Sequence, residues 1–356
     1  MIRRLAQGAV ALLALALLAL ALLAFAWRCD GPWFERHVFL PQQFFIAAGP
    51  GIVFASRALA AATAALLLFR VPRVPNGAAS LRLALAVLLA IPAAEILLRW
   101  RMPRSADWDR ILAKEPLIAW DSRYGFTLAP EVDRIQSLSG REIRFRTDGE
   151  GRRISGAPID PAAQSLVFIG ESAVAGVGLQ WEETFPAILG ARLRLQVVNL
   201  GSPGFRADQS WMRLRDALPR LAHPVAIVGL FMPGLIGRGS AARGHPSLLE
   251  RSALHRLWKH LYWSDARLEE GMRSVGAALQ DTAAFAKARG APCIFLVTGK
   301  TPRWMLHELF EEPGLDFVVA DVPEDELLSD SHPGPQGSIR LADALEPRLR
   351  TRIAER

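Results

Sequence analysis

The stretch Val167-Phe-Ile-Gly-Glu-Ser-Ala-Val-Ala-Gly-Val-Gly178 decides how this chain is read. A short apolar run ends in Gly170 and Glu171, Ser172 follows at once, and Gly176 and Gly178 come shortly after. A strand that delivers a serine to an exposed turn before a helix has this form. Far downstream the chain reads Ser329-Asp-Ser-His-Pro-Gly-Pro-Gln-Gly337. The first segment offers a nucleophile. The second offers a base, His332, with an acid, Asp330, two residues before it. A serine hydroxyl is a poor nucleophile unless a base takes its proton, so the two segments together point to serine-based ester chemistry.

Working outward, continuous apolar runs alternate with amphipathic segments. Strands are predicted at 164–169, 196–200, 225–231, 292–297 and 316–320, and helices at 184–193, 207–221, 248–262, 265–289 and 337–349. That alternation indicates a parallel sheet covered on both faces, an α/β domain. Sites in open α/β sheets form outside the carboxyl ends of the strands. Ser172 follows the first strand, Gly201 follows the second, and Asp330 and His332 follow the last. The predicted roles are Ser172 as nucleophile, His332 as base and Asp330 as its orienting acid. The backbone N–H groups of Ser172 and Gly201 form the predicted oxyanion hole.

At this point the sequence resembles the SGNH/GDSL hydrolase superfamily. Gly170-Glu171-Ser172 matches its first block with Glu in place of the usual Asp, Asn199-Leu-Gly201 looks like the second, and Asp330-Ser-His332-Pro looks like the last. The segment Phe145-Arg-Thr-Asp-Gly-Glu-Gly-Arg-Arg153 resembles a lead-in to the first block. The resemblance covers about residues 115–350. It implies a three-layer α/β/α, flavodoxin-like domain with a mostly parallel sheet, acting on an acyl ester of a glycan or lipid. The third block departs from the pattern. Where Gly-x-Asn-Asp is expected, this chain has Gly229-Leu-Phe-Met-Pro-Gly-Leu235, and its only asparagines are Asn76 and Asn199. Asn199 reads as structural, and Arg206 or Gln209 are the candidate substitutes for the missing donor. Loss of one such donor costs about 10²–10³ in rate.

The N-terminal hundred residues read differently. Residues 5–27, 44–69 and 81–98 are predicted as three transmembrane helices, because about 20 apolar residues cross a bilayer. The first is preferred as an uncleaved span over a signal peptide because its apolar region is long. Arg3 and Arg4 and the basic linker Arg70-Val-Pro-Arg-Val-Pro-Asn-Gly77 place the N-terminus and that linker in the cytoplasm, and three crossings put everything after Arg99 in the periplasm or outside. Arg99, Arg101 and Arg104 argue weakly against that orientation. Arg57 and Glu95 interrupt the spans and suggest a buried pair, against a plainer picture of snorkelling ends. The predicted organisation is thus a membrane region at 1–102, a strand-rich lead-in at 103–163 and the hydrolase-like domain at 164–356.

The net charge of +7 comes mostly from arginine, but no basic run is interleaved with aromatics, so nucleic acid is not an expected partner. No cofactor is expected: Gly176 and Gly178 belong to neither a phosphate loop nor a dinucleotide fingerprint. The spacing of His245, His255 and His260 does not make a metal pair. Segment 248–262 reads as a helix packed on the sheet, with a lid or membrane-resting helix as the alternative. Three functions follow: a membrane-anchored serine esterase, an O-acyltransferase of envelope polysaccharide that would need an acyl-donor protein, or a non-catalytic scaffold motivated by the missing Asn.

Overall fold

The computed structural model describes residues 16–39, 50–70, 85, 89–90, 92–97, 117–138, 141–238, 252, 254–255, 262, 264–298, 301–329 and 331–355. The chain divides into two compact units, Met1–Trp108 with Arg243–Asp265, and Asp109–Ala242 with Ala266–Arg356. The predicted helix 248–262, expected to pack on the sheet, therefore falls in the unit of the N-terminal residues. Most of the predicted helix 248–262 lies outside the described residues.

In the first unit, helix α1 (Ala16–Arg28) is followed across a 96° bend by the helical stretch Pro32–Val38. Helix α2 spans Pro50–Arg70. Among the described residues no single helix is long and apolar enough to cross a membrane; the bent pair meets that test only jointly. Half of the third predicted span, 81–98, lies outside the described residues. Arg57 Nε donates to the Ala26 carbonyl at 2.6 Å, one of the carbonyls that the end of α1 leaves without an intrahelical partner. Glu95 Oε2 accepts from Ser252 Oγ and the Leu254 N–H, both at 2.9 Å. The suggested Arg57–Glu95 pair is not among the described contacts: the cation satisfies a helix end and the carboxylate holds the returning segment.

The second unit begins with two antiparallel hairpins. Strand β1 (Ile118–Asp121) pairs with β2 (Gly125–Leu128), and β3 (Asp133–Leu138) with β4 (Arg141–Arg146). The main sheet follows: β5 (Gln164–Ile169), β6 (Gln196–Asn199), β7 (His223–Phe231), β8 (Cys293–Thr298) and β9 (Phe317–Ala320). All its pairings are parallel, in the order β6-β5-β7-β8-β9. This is the 2-1-3-4-5 order of flavodoxin-like sheets, with the switch of direction at the first strand. Its helices include α3 (Ser172–Ala175), α4 (Phe185–Leu193), α5 (Ala207–Ala217), α6 (Asp265–Lys287) and α7 (Pro335–Ala354).

Alternation along β5 shows why its sequence reads as an unbroken apolar run. Leu166 and Phe168 join a core with Phe185 and Leu189 of α4 and Leu341, Leu345 and Leu349 of α7. Val167 and Ile169 point the other way, into a core with Leu214 of α5 and Ala286 of α6. Both faces are covered, so the run Leu166–Ile169 is apolar on each of them. A third cluster joins Leu128, Ile143 and Phe145 of the hairpins to Ala175, at the end of α3. The hairpins are thus the packing floor of the serine turn.

Candidate active site

Strand β5 ends at Ile169, and three residues later Ser172 opens α3. Gly170 makes the turn with a φ of +149°, and a Cβ there would stand 2.6 Å from Val174 Cγ2. Ser172 remains partly accessible while Glu171 beside it is only 2% exposed. As the first residue of a helix, Ser172 has a backbone N–H with no intrahelical acceptor.

His332 reaches this serine from the loop before α7. Its Nε2 lies 2.7 Å from Ser172 Oγ, across 160 residues of sequence. The loop that carries it is tightly tied. Leu328 N–H donates to the His332 carbonyl at 2.7 Å, Ser331 N–H to the Leu328 carbonyl at 2.8 Å, and Gly334 N–H to the Glu326 carbonyl at 2.8 Å. Asp330 lies outside the described residues. Ser172 and His332, the predicted nucleophile and base, thus lie within hydrogen-bond distance of each other.

A buried arginine fastens the turn from below. Arg153 is fully buried and stacks on Phe145, its guanidinium carbon 4.2 Å from the ring centroid. It donates to the carbonyls of Ala175 and Leu179, both at 2.5 Å, and to that of Gly176. The Ala175 carbonyl ends a four-residue helix that cannot satisfy it, and Gly176 and Leu179 lie in the turn beyond. Among the described residues Arg153 has no ion-pair partner, and burial lowers its pKa to about 9, which still leaves it charged at neutral pH. The sequence marked its segment only as a lead-in; an arginine in a turn-rich stretch gives no sign of burial.

Asn199 works on the opposite side. It is fully buried, as a structural role requires. Its Nδ2 donates to the Val174 carbonyl at 2.7 Å, and its Oδ1 accepts from the Gly201 N–H at 2.9 Å. This corrects one expectation: the Gly201 N–H predicted to bind an oxyanion is committed to Asn199. Gly201 is a glycine for another reason. A Cβ there would stand 2.7 Å from the Ala175 nitrogen and 2.8 Å from Val174 Cβ, so the loop could not close on α3. Three residues on, the Gly204 N–H donates to no group among the described residues. Sequence spacing alone could not distinguish the two glycines, because the choice depends on where the Asn199 amide turns.

The loop after β7 supplies Met232 and Pro233, a thioether and a residue without an N–H. The two suggested substitutes are both engaged with neighbours in their own helix turn. Arg206 makes a two-point pair with Asp208, at 3.0 and 2.9 Å. Gln209 accepts from the Arg206 N–H at 2.9 Å and donates to the Tyr124 carbonyl at 2.6 Å, which spends its amide on structure. No group of three or more potential metal ligands occurs among the described residues.

No family model matches the chain, and no curated protein does. Solved structures do show likenesses. A structure of TesA is 18% identical with a TM-score of 0.37, covering 53% of this chain and 99% of that one. A psychrotrophic esterase, EstA, from Pseudoalteromonas sp. is 13% identical with a TM-score of 0.36, covering 53% and 97%. A putative lipolytic protein of the G-D-S-L family from Desulfitobacterium hafniense is 18% identical with a TM-score of 0.36, covering 52% and 99%. These neighbours include esterases and lipolytic proteins of the SGNH/GDSL superfamily, the one that the sequence blocks resemble. The likenesses are distant, and the case for the site rests on its own geometry.

Proposed function

We propose that this chain is a membrane-anchored serine esterase acting on an acyl ester of a glycan or lipid. The observation that carries the proposal is the 2.7 Å contact between Ser172 Oγ and His332 Nε2 at the carboxyl end of β5. That distance suits direct proton transfer. The Oγ proton passes to Nε2 as Oγ bonds to the ester carbonyl carbon, and the carbonyl π pair moves onto oxygen. When the tetrahedral intermediate collapses, the C–O bond to the alcohol breaks and Nε2 returns the proton to the leaving oxygen. Water then repeats both steps on the acyl-enzyme and releases the acid. Asp330, two residues before the base, orients the imidazole and stabilises its cation.

The oxyanion falls to the Ser172 N–H and, in place of Gly201, to the Gly204 N–H of the same loop. With Phe231, Met232 and Pro233 in place of the third block's Asn-Asp, the end of β7 offers no side-chain amide, the hole is thin, and a slow enzyme is the expected result. The apolar stretches of residues 5–27, 44–69 and 81–98 anchor the chain, with the site in the periplasm or outside the cell.

The test is hydrolysis of p-nitrophenyl acetate by the purified full chain in detergent, beside Ser172→Ala and His332→Ala. Either substitution should remove at least about 10³-fold of the turnover. Equal background rates in all three proteins would discard hydrolysis. Acyl transfer seen only with a sugar acceptor present would move the chain to the O-acyltransferases.

A further inference from the structure

Beside the serine loop lies a second polar cavity that the proposed chemistry does not use. It measures about 250 Å³ and is walled by the β1–β2 hairpin, the turn at Gly149–Glu150 and helix α5. At about 30 Å³ per water it holds roughly eight water molecules, the room of a single sugar ring rather than of a chain. Neither Ser172 nor His332 lines it, but Leu200, the residue before Gly201, does. The hairpin that forms its wall also reaches the serine loop: Phe126 comes within 3.5 Å of the position a Cβ on Gly204 would take.

Two features of the lining select a ligand. Trp120 is 83% exposed, the most exposed large apolar side chain of this unit among the described residues, and it stands on the cavity wall. Its cross-strand partner Phe126 is half-buried, so the register does not force the exposure. The wall also carries guanidinium and carboxylate groups side by side. Arg123 lies 3.5 Å from Asp216, which also accepts from the Tyr124 hydroxyl at 2.8 Å. Arg220 lies 3.1 Å from Glu150. The buried Arg213 donates to the carbonyls of Glu150 and Gly151, at 3.2 and 2.8 Å.

The charges of this wall are largely matched in pairs. A ligand with a net charge would gain from one sign and be opposed by the other. A ligand whose groups both donate and accept hydrogen bonds suits both: guanidinium N–H groups only donate and carboxylates only accept. A flat apolar face is needed as well, to cover the indole. A neutral pyranose ring has both, hydroxyls around its edge and C–H groups on its face. We infer that this cavity is a subsite for a neutral sugar unit, with Trp120 as its stacking platform and the Arg123–Asp216 and Arg220–Glu150 pairs as its hydroxyl partners. Its role rests on the esterase proposal, for which it names a glycan rather than a lipid as the ester's carrier.

The experiment titrates full-length protein carrying Ser172→Ala, in detergent, with chitotriose, cellotriose and maltotriose in a calorimeter. At least one should bind. Trp120→Ala should then weaken it about tenfold, and Arg220→Gln should weaken it by a smaller factor. Both side chains lie at the surface, and melting curves will verify that the variants fold. Absence of binding by all three sugars overturns the inference, as does binding indifferent to both substitutions. So does binding of galacturonate oligomers or inorganic phosphate in place of the neutral sugars, or a Trp120→Ala change that lowers only association with lipid vesicles. Binding is read without turnover. A chain that binds sugar yet never hydrolyses an ester loses the esterase proposal and keeps the subsite, and the reverse result separates them equally well.

Discussion

The turn after β5 and the loop after β7 stand at neighbouring strand ends and are built in opposite ways. Around the turn, polar groups are held from two sides: Arg153 takes the carbonyls of Ala175, Gly176 and Leu179, and Asn199 takes that of Val174. The loop after β7 presents Met232, which packs against the apolar core, and then a proline. Placing a nucleophile and stabilising the charge it creates are thus separable tasks. This chain invests heavily in the first and lightly in the second.

The strongest way to break that contrast is Arg153→Met. The carbonyls of Ala175 and Leu179 lose their donor while that of Gly176 keeps the Leu179 N–H, and each unsatisfied buried group costs about 1–3 kcal/mol. Part of that is offset because the guanidinium no longer has to be buried, which leaves a net loss of about 3 kcal/mol. Thermal melting should show it, with ester turnover falling alongside. A variant that melts like the parent would mean the fork does not hold the turn.

A smaller change sharpens the contrast from the other side. Met232→Asn returns an amide donor to the loop after β7. A well-placed donor is worth about 10²–10³ in rate, and an unoptimised one should recover about tenfold in kcat with KM little changed. Turnover of p-nitrophenyl acetate measures it. No gain would mean that this loop does not face the developing charge. A phosphonate adduct on Ser172 makes the related geometric check: its oxygen should lie within about 3 Å of the Gly204 nitrogen rather than that of Gly201.

The smallest effect concerns the hairpin whose carbonyl holds Gln209 away from the site. Burial, and then the bond to Asp216, raise the Tyr124 phenol to about 12. A folded-state pKa above the unfolded value of about 10 adds stability below pH 10 that is lost as pH rises from there through 12. Tyr124 and Tyr262 are the only tyrosines. In Tyr262→Phe the remaining phenolate absorbance should therefore appear near pH 12, and Asp216→Asn should bring it down. Titration near 10 in the folded protein would show the Asp216 bond to be absent.

Much of this was legible in the sequence, for identifiable reasons. The strands of the sheet announce themselves because burial on both faces leaves no polar position in a run such as Leu166–Ile169. Ser172 and His332 stand out because strand-end glycines and an acid-spaced histidine are local patterns. Arg153, Gly204 and the engagement of Gly201 were not legible. Each depends on the direction of a side chain relative to residues distant in sequence or on the far side of a turn. The same holds for segment 243–265, whose amphipathic pattern requires an apolar partner but does not name one.

The order of the sheet also bears on how the protein comes into being. Strand β5 lies between β6 and β7, and Ser172 meets a histidine 160 residues further along. Contacts of such long range form late, after the entropy of closing the intervening chain has been overcome. A nascent chain therefore carries Ser172, the proposed nucleophile, through 160 further residues before His332, its proposed base, is made. Ester turnover would begin only when the last helix docks, and would serve as a clock for the completion of folding.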